Sequence, residues 1–483
     1  MQSRIPAPPD EFAWRDYAAF LLHVAAEIEH SLMVQYLFAA YSLGGTPAAA
    51  KHQLKVRQWQ ETILGIAQEE MGHLLTVQNV LMLLGGPLGF DRQDYPWDSE
   101  FYPFTFHLRR LTLDSLAAYV CAESSPTWRS ADRQEIKDRA RIATGIEVNG
   151  VGRLYKKLEE IIGDPACIPE SSFQPSSVIK QATRDEWARG HVRGVSGSET
   201  SKEMGVKAPE LVIATCGSRD QAVRVLREVG EQGEAIDHVA AAVTAQDPSI
   251  QHEESHFRRF IRIYRAMRNL GSDANDVSRR LADNPRTRHI HDFAKGVTHS
   301  AQPFTWYRAK VDPRKPPANV ITNHEARAWA HLFNLRYRML LVDLAHALQH
   351  PGGTANGESS TRGYLINRTF GEMYNLRAIS GRLVQLPLLQ TGGKEFAGPP
   401  FEMPYTLSIP DSETDRWRLH KDLFTASRFA TQRIEDQLRG TARSTEQSRE
   451  FLAALREFDA RTLVQIETWI TTAPPMSSAG VPA

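Results

Sequence analysis

The chain has 483 residues, 41% of them apolar, enough for roughly two to four domains with substantial cores. Lysine plus arginine and aspartate plus glutamate number 57 each, so the formal charge is zero and gives no electrostatic footprint for nucleic acid or an acidic membrane. Three widely spaced cysteines, Cys121, Cys167 and Cys216, argue against a disulfide framework or a thiolate metal site.

The N-terminus, MQSRIPAPPDEF, has no apolar core of signal-peptide length, and no uncharged apolar run reaches about 18 residues. The expectation is a cytoplasmic protein that does not span a membrane. Residues 11–43 read as a first long helix closed by Gly44-Gly45. Its stripe Leu22, Ala26, Glu29, Met33, Tyr36 and Ala40 carries one carboxylate, Glu29, with Glu27 and His30 on the adjoining side. A short connection leads to a second helix over 52–84, so the two should be antiparallel neighbours. Ile63, Ile66, Ala67, Leu74, Val77, Val80, Leu81 and Leu84 form its apolar stripe, interrupted by Glu70 and His73. A carboxylate in such a stripe is costly unless ion-paired or bound to a metal. Counted from the connection at about 1.5 Å per residue, Glu29 and Glu70 fall at nearly the same height.

Residues 87–110 are aromatic and proline-rich, an irregular wall or lid, and a short helix follows near 113–122. Residues 134–162 look helical, with Ile146, Gly150, Leu154 and Leu158 on the apolar side. From 163 to 217 the glycine- and serine-rich chain suggests a long insertion with short strands, in which Trp187 reads as a loop residue. A helix over 219–243 carries EQGE (Glu231 to Glu234), which periodicity assigns to a solvated face rather than to the core. The next helix, 250–269, puts Glu253, His256, Phe257, Phe260, Tyr264 and Met267 on one face. Residues 271–320 read as a polar connector, 321–470 as a helical C-terminal domain with segments at 323–349, 365–387 and 413–470, and 471–483 as a disordered tail. His289 and His291 read as solvated loop residues of the connector, and His324, His331 and His346, without carboxylate partners at repeating spacing, as ordinary core or surface histidines.

Glu29, then Glu70-x-x-His73, then EQGE, then Glu253-x-x-His256 on successive helices is the pattern that holds two metals in carboxylate-bridged bundles. Carboxylate oxygens with one imidazole per metal suit iron or manganese rather than tetrahedral zinc. Glu27-x-x-His30 fits the same short pattern but lies on a mixed face.

EIEHSLMVQYLFAAYSL and QEEMGHLLTVQNVLMLLGG resemble the ferritin-like superfamily, with Glu29 and Tyr36 in its first-helix motif. EQGE, ESHFRRF and AGPPFE are more narrowly similar to the iminophenyl-pyruvate dimer synthase family, the ferritin-like enzymes of violacein, rebeccamycin and staurosporine biosynthesis. The similarity extends over about residues 15–405. It implies an all-α protein: a ferritin-like four-helix bundle over 11–270 and a second, mostly helical C-terminal domain. It also implies an oxidoreductase of secondary metabolism with iron, manganese being the alternative, as two ions or one. The substrate would be an amino-acid-derived small molecule, and the oxidant dioxygen or peroxide. Carried over by position, the catalytic metal ligands are Glu29, Glu70, His73, Glu231 and His256, with Glu234 and Glu253 as additional candidates. Where the family pattern reads I-G-E-F-Y this chain has VGRLY, so Arg153 replaces a glutamate and is suited to a substrate carboxylate. Tyr36, Tyr102 and Arg153 are expected at the pocket. The chain is also much shorter than the pigment-pathway enzymes. Two rival readings are a manganese catalase-like, peroxide-disproportionating enzyme and a non-catalytic helical scaffold with a buried ion pair. Homo-oligomerisation is left open.

Overall fold

The computed structural model describes residues 7–92, 101–187, 209–233, 255–287, 319–352, 360–403, 407–439 and 445–472. Among them the regular structure is helical, with isolated β-bridges and no strand. The all-α reading holds, whereas strands expected in the 163–217 insertion are not found among its described residues.

Helices α1 (Trp14–Ser42) and α2 (Gln53–Leu83) form the central hairpin. Arg15 Nε donates to Leu84 O at 2.8 Å near one end, and Gln60 Nε2 to Ala40 O at 2.9 Å near the other, so the pair is antiparallel. Gly85 stops α2 in the left-handed region (φ 67°). Its N–H reaches Met82 O at 3.0 Å and that of Gly86 reaches Leu81 O at 2.8 Å, the paired bonds of a Schellman motif.

Two further helix pairs close around this hairpin. Helix α3 (Leu113–Ala122), opened by a capping box of Thr112 and Ser115, packs on α7 (His256–Arg268). Between them in sequence lie α4 (Arg133–Thr144), α5 (Gly152–Gly163) and α6 (Arg219–Gly233), with α5 and α6 packed together. The single helix expected over 134–162 is two. Gly145 takes φ 78° and its N–H caps Arg141 O, which ends α4 and leaves Ile146 46% exposed. Trp187, read as a loop residue, is fully buried and meets Phe370 at 6.2 Å.

Helices α8 (His324–Ala347), α9 (Thr361–Leu383), α10 (Glu413–Leu438) and α11 (Glu446–Thr472) form the second group. Val34 and Phe38 on the outer side of α1 join its core beside Trp329 and Phe333. Arg336 of α8 is fully buried and ion-paired with Glu372 of α9 at 2.8 Å and with Asp459 of α11. No described helix is long and apolar enough to cross a membrane.

Candidate metal centre

Four helices deliver polar groups to one buried point. Glu29 comes from α1, Glu69, Glu70 and His73 from α2, Glu123 from the residue that ends α3, and His256 opens α7. His73 Nδ1 lies 2.8 Å from Glu70 Oε2 and 3.2 Å from Glu29 Oε2. His256 Nδ1 lies 3.2 Å from Glu70 Oε1 and 3.8 Å from Glu123 Oε2. Glu70 therefore turns one oxygen to each imidazole. Glu70 Oε1 and His256 Nδ1 are buried and have no hydrogen-bond partner among the described residues.

The outward atoms of the same side chains are tied down. His73 Nε2 is 2.7 Å from Gln232 Oε1, and His256 Nε2 is 2.9 Å from Glu69 Oε2. Glu69 also accepts from Arg259 and, at 2.8 Å, from the Glu210 N–H. Tyr36 donates to Glu123 Oε1 and Tyr155 to Glu29 Oε1, which leaves the other oxygen of each carboxylate facing inward. Gly233 also borders the gap, where a Cβ would stand 3.0 Å from Glu123 Oε2. The gap between these groups is about 10 Å³.

Packing these carboxylates together away from solvent raises the cost of their charges. Burial and repulsion from Glu70 push the Glu29 carboxyl up to about 7 and that of Glu123 up to about 8. Burial opposes ionisation of Glu70 too, but His256 and His73 hold it well below the carboxylate range. Burial would lower both histidines; against it, Glu29 and Glu70 raise His73, and Glu70 and Glu69 push His256 up to about 9. The site demands positive charge at its middle, and a metal ion supplies it in the most compact form.

Of the residues singled out from sequence, Glu29, Glu70, His73 and His256 are brought together here. Glu231 is not. It is partly buried, with Arg227, Glu159 and Glu228 as its charged neighbours, and the next residue, Gln232, is the one that reaches the centre. Glu234 and Glu253 lie outside the described residues. Tyr36 touches the centre through Glu123, Tyr102 instead donates to Glu27, and Arg153 is exposed. Sequence reasoning missed Glu123, Glu69 and Tyr155. Glu123 terminates a short helix, where a polar residue is unremarkable, and its only signal is the wholly apolar run before it. Tyr155, two residues beyond Arg153, is the residue of VGRLY that meets a carboxylate.

The AGPPFE segment lies elsewhere. Glu402 is buried beneath a cavity of about 260 Å³ that Thr287, Asn334, Tyr337 and Met403 also line. Tyr337 in turn contacts the His30 ring of α1.

The ferritin-like family model matches residues 22–265, and the chain belongs to that family. Within it, the chain is similar to dichlorochromopyrrolate synthase of Lentzea aerocolonigenes, at 26% identity over 412 residues, 80% of this chain and 36% of that protein. It is also similar to 2-imino-3-(indol-3-yl)propanoate dimerase of Chromobacterium violaceum, at 35% identity over 131 residues, 21% of this chain and 13% of that protein. These relatives agree with the iminophenyl-pyruvate dimer synthase resemblance. The chain spans little more than a third of the length of the first and about an eighth of the second. No solved structure matches it significantly.

Proposed function

We propose that this chain is a metal-dependent oxidoreductase of secondary metabolism. In this reading it holds non-haem iron in a two-ion centre and couples an amino-acid-derived imine at the expense of dioxygen or peroxide. The observation that carries the reading is Glu70, set between the Nδ1 atoms of His73 and His256 with Glu29 and Glu123 on either side. Three carboxylates and two imidazoles form a hard, oxygen-rich donor set that fits iron or manganese. The ligands would be Glu29, Glu70, His73, Glu123 and His256. Glu123 takes the place that the family resemblance gave to Glu231.

Bound there, iron would supply redox equivalents and Lewis acidity. The protein's own groups fix the donors. Tyr36 and Tyr155 hold their phenolic protons against the outer oxygens of Glu123 and Glu29, and so aim the inner oxygens at the gap. Glu69, anchored by Arg259, orients His256, and Gln232 orients His73. The gap is too small for an organic molecule, so the substrate must meet the centre from its edge. An imine substrate is supported by a relative named as an imino-acid dimerase.

The test is elemental analysis of protein purified without chelator, followed by incubation with 2-imino acids generated in situ by an amino-acid oxidase. About one to two equivalents of iron, lost in His73→Ala, with oxygen consumption and a coupled dimer seen by mass spectrometry, is the expected result. Manganese with oxygen released from peroxide would establish the disproportionating alternative, and metal-free protein after growth with both metals would leave a scaffold.

A further inference from the structure

His346, an ordinary core or surface histidine by sequence, stands at the end of α8 beside His350 and beside Glu413, the first residue of α10. His346 Nε2 lies 3.0 Å from Glu413 Oε2 and 3.3 Å from His350 Nε2, and His350 Nε2 lies 3.3 Å from the same carboxylate oxygen. Three donor atoms from three side chains thus form a nearly equilateral triangle. Two ligands about 2.0–2.1 Å from a tetrahedral ion stand about 3.3–3.4 Å apart, so the triangle has the size of one face of a zinc-type tetrahedron. His350 lies in the turn that follows α8, its N–H on Ala347 O at 3.2 Å, and its ring stands 5.1 Å from that of His346.

An independent observation lies behind the triangle. His346 Nδ1 is 3.0 Å from His420 Nε2, and His420 Nδ1 is 3.2 Å from Arg368 Nη2 and 3.4 Å from Asp343 Oδ1. Asp343 is fully buried and ion-paired with Arg368 at 2.7 Å, yet neither of its oxygens has a hydrogen-bond donor among the described residues. With neutral imidazoles, two proton arrangements are open to this chain. If Arg368 donates to His420, then His420 donates to His346 and His346 to Glu413, and Asp343 keeps only its ion pair with Arg368. If His420 Nδ1–H turns to Asp343, then His346 Nδ1–H donates to His420. The bare Nε2 lone pair of His346 then faces a carboxylate oxygen 3.0 Å away. That contact is repulsive unless a proton or a metal cation lies between them. The second arrangement satisfies the buried aspartate, and it is the way a metal-bound imidazole passes its far N–H to a supporting group.

We propose that His346, His350 and Glu413 form a second metal site, separate from the bundle centre, for a late divalent first-row cation of the Zn²⁺ class, with its fourth position open to water. Two imidazoles and one carboxylate favour such an ion over the harder cations suited to the bundle centre. The Glu413 and His350 side chains are 36% and 24% exposed, so the ion exchanges with solvent, while His346 is the buried anchor. Arg416 Nη1, 3.3 Å from Glu413 Oε2, is released on binding and keeps its bonds to Pro410 O and Asp411 O. The ion clamps the end of α8 to the start of α10.

The experiment is titration of the metal-free full-length protein with Co²⁺, whose visible absorption is strong in tetrahedral sites, followed by displacement with Zn²⁺. The band is expected in the wild type and in His73→Ala. It should be lost in His350→Ala and in Glu413→Gln, both partly exposed positions whose folding circular dichroism verifies. In Asp343→Asn the Co²⁺ affinity should fall about 10–100-fold. A band absent from the wild type, unchanged in His350→Ala and Glu413→Gln, or lost in His73→Ala would overturn the proposal.

Discussion

Glu69 Oε2 lies 2.9 Å from Nε2 of His256, the ring nitrogen turned away from the carboxylate cluster. Consecutive glutamates of α2 thus serve opposite sides of one imidazole, Glu70 in front and Glu69 behind. Replacing the rear partner by Glu69→Gln should keep the fold but weaken iron binding about 10–100-fold, because the ring loses its orienting charge. Iron titration of the stripped protein measures this, and an affinity equal to wild type would show that Glu69 has no orienting role.

Glu123 and Glu231 make a decisive pair. Iron content should fall in Glu123→Ala and stay at the wild-type level in Glu231→Ala, since only Glu123 turns an oxygen toward His256. The reverse result would restore the ligand set read from family resemblance.

Arg336 is sealed between Glu372 and Asp459, both at most 1% exposed. Arg336→Met would strand two buried acids and should lower stability by about 3–5 kcal/mol in urea denaturation. Making all three positions apolar should recover most of that loss. A midpoint unmoved by Arg336→Met would mean that the acids find other partners.

Glu402 accepts from Thr287 Oγ1 at 2.7 Å and from Asn334 Nδ2 at 2.6 Å, yet burial pushes its carboxyl from the ordinary 4.5 up to about 7. The folded state therefore favours the proton more than the unfolded chain does. Its stabilising contribution is complete below pH 4.5 and is lost as pH rises through about 7, on the order of 3 kcal/mol in full. Glu402→Gln should flatten the fall in melting temperature between about pH 5 and pH 8. Parallel pH profiles for the two proteins would contradict the assignment.

Glu29, Glu70, His73 and His256 were legible because each sits in an otherwise apolar helical stripe. A carboxylate and an imidazole in an otherwise apolar stripe stand out, and equal distances from the connecting turn put Glu29 and Glu70 at one height. Periodicity alone also kept Glu231 off the core side, and the structure leaves it partly buried and away from the centre; the family resemblance drew it into the ligand set. Glu123 and Glu69 could not be read, since each depends on which helix packs opposite. The break at Gly145 was hidden for a different reason: helical periodicity resumes in nearly the same phase after it. The His346 cluster joins residues 67 apart in sequence, and no local pattern announces such a meeting.

Glu29 and His30 are neighbours in sequence and face different parts of the molecule. Glu29 looks into the bundle, whereas His30, about 100° further round the helix, meets Tyr337 of α8. With Val34 and Phe38 it makes the outer side of α1 a wall of the second helical group. Recombination between relatives cannot therefore cut this protein cleanly at the end of the family-matched segment. A bundle transplanted without α8 would carry bare apolar surface along its most important helix. A chimaera should succeed only if the graft includes both the donor's first helix and the partners that cover its back.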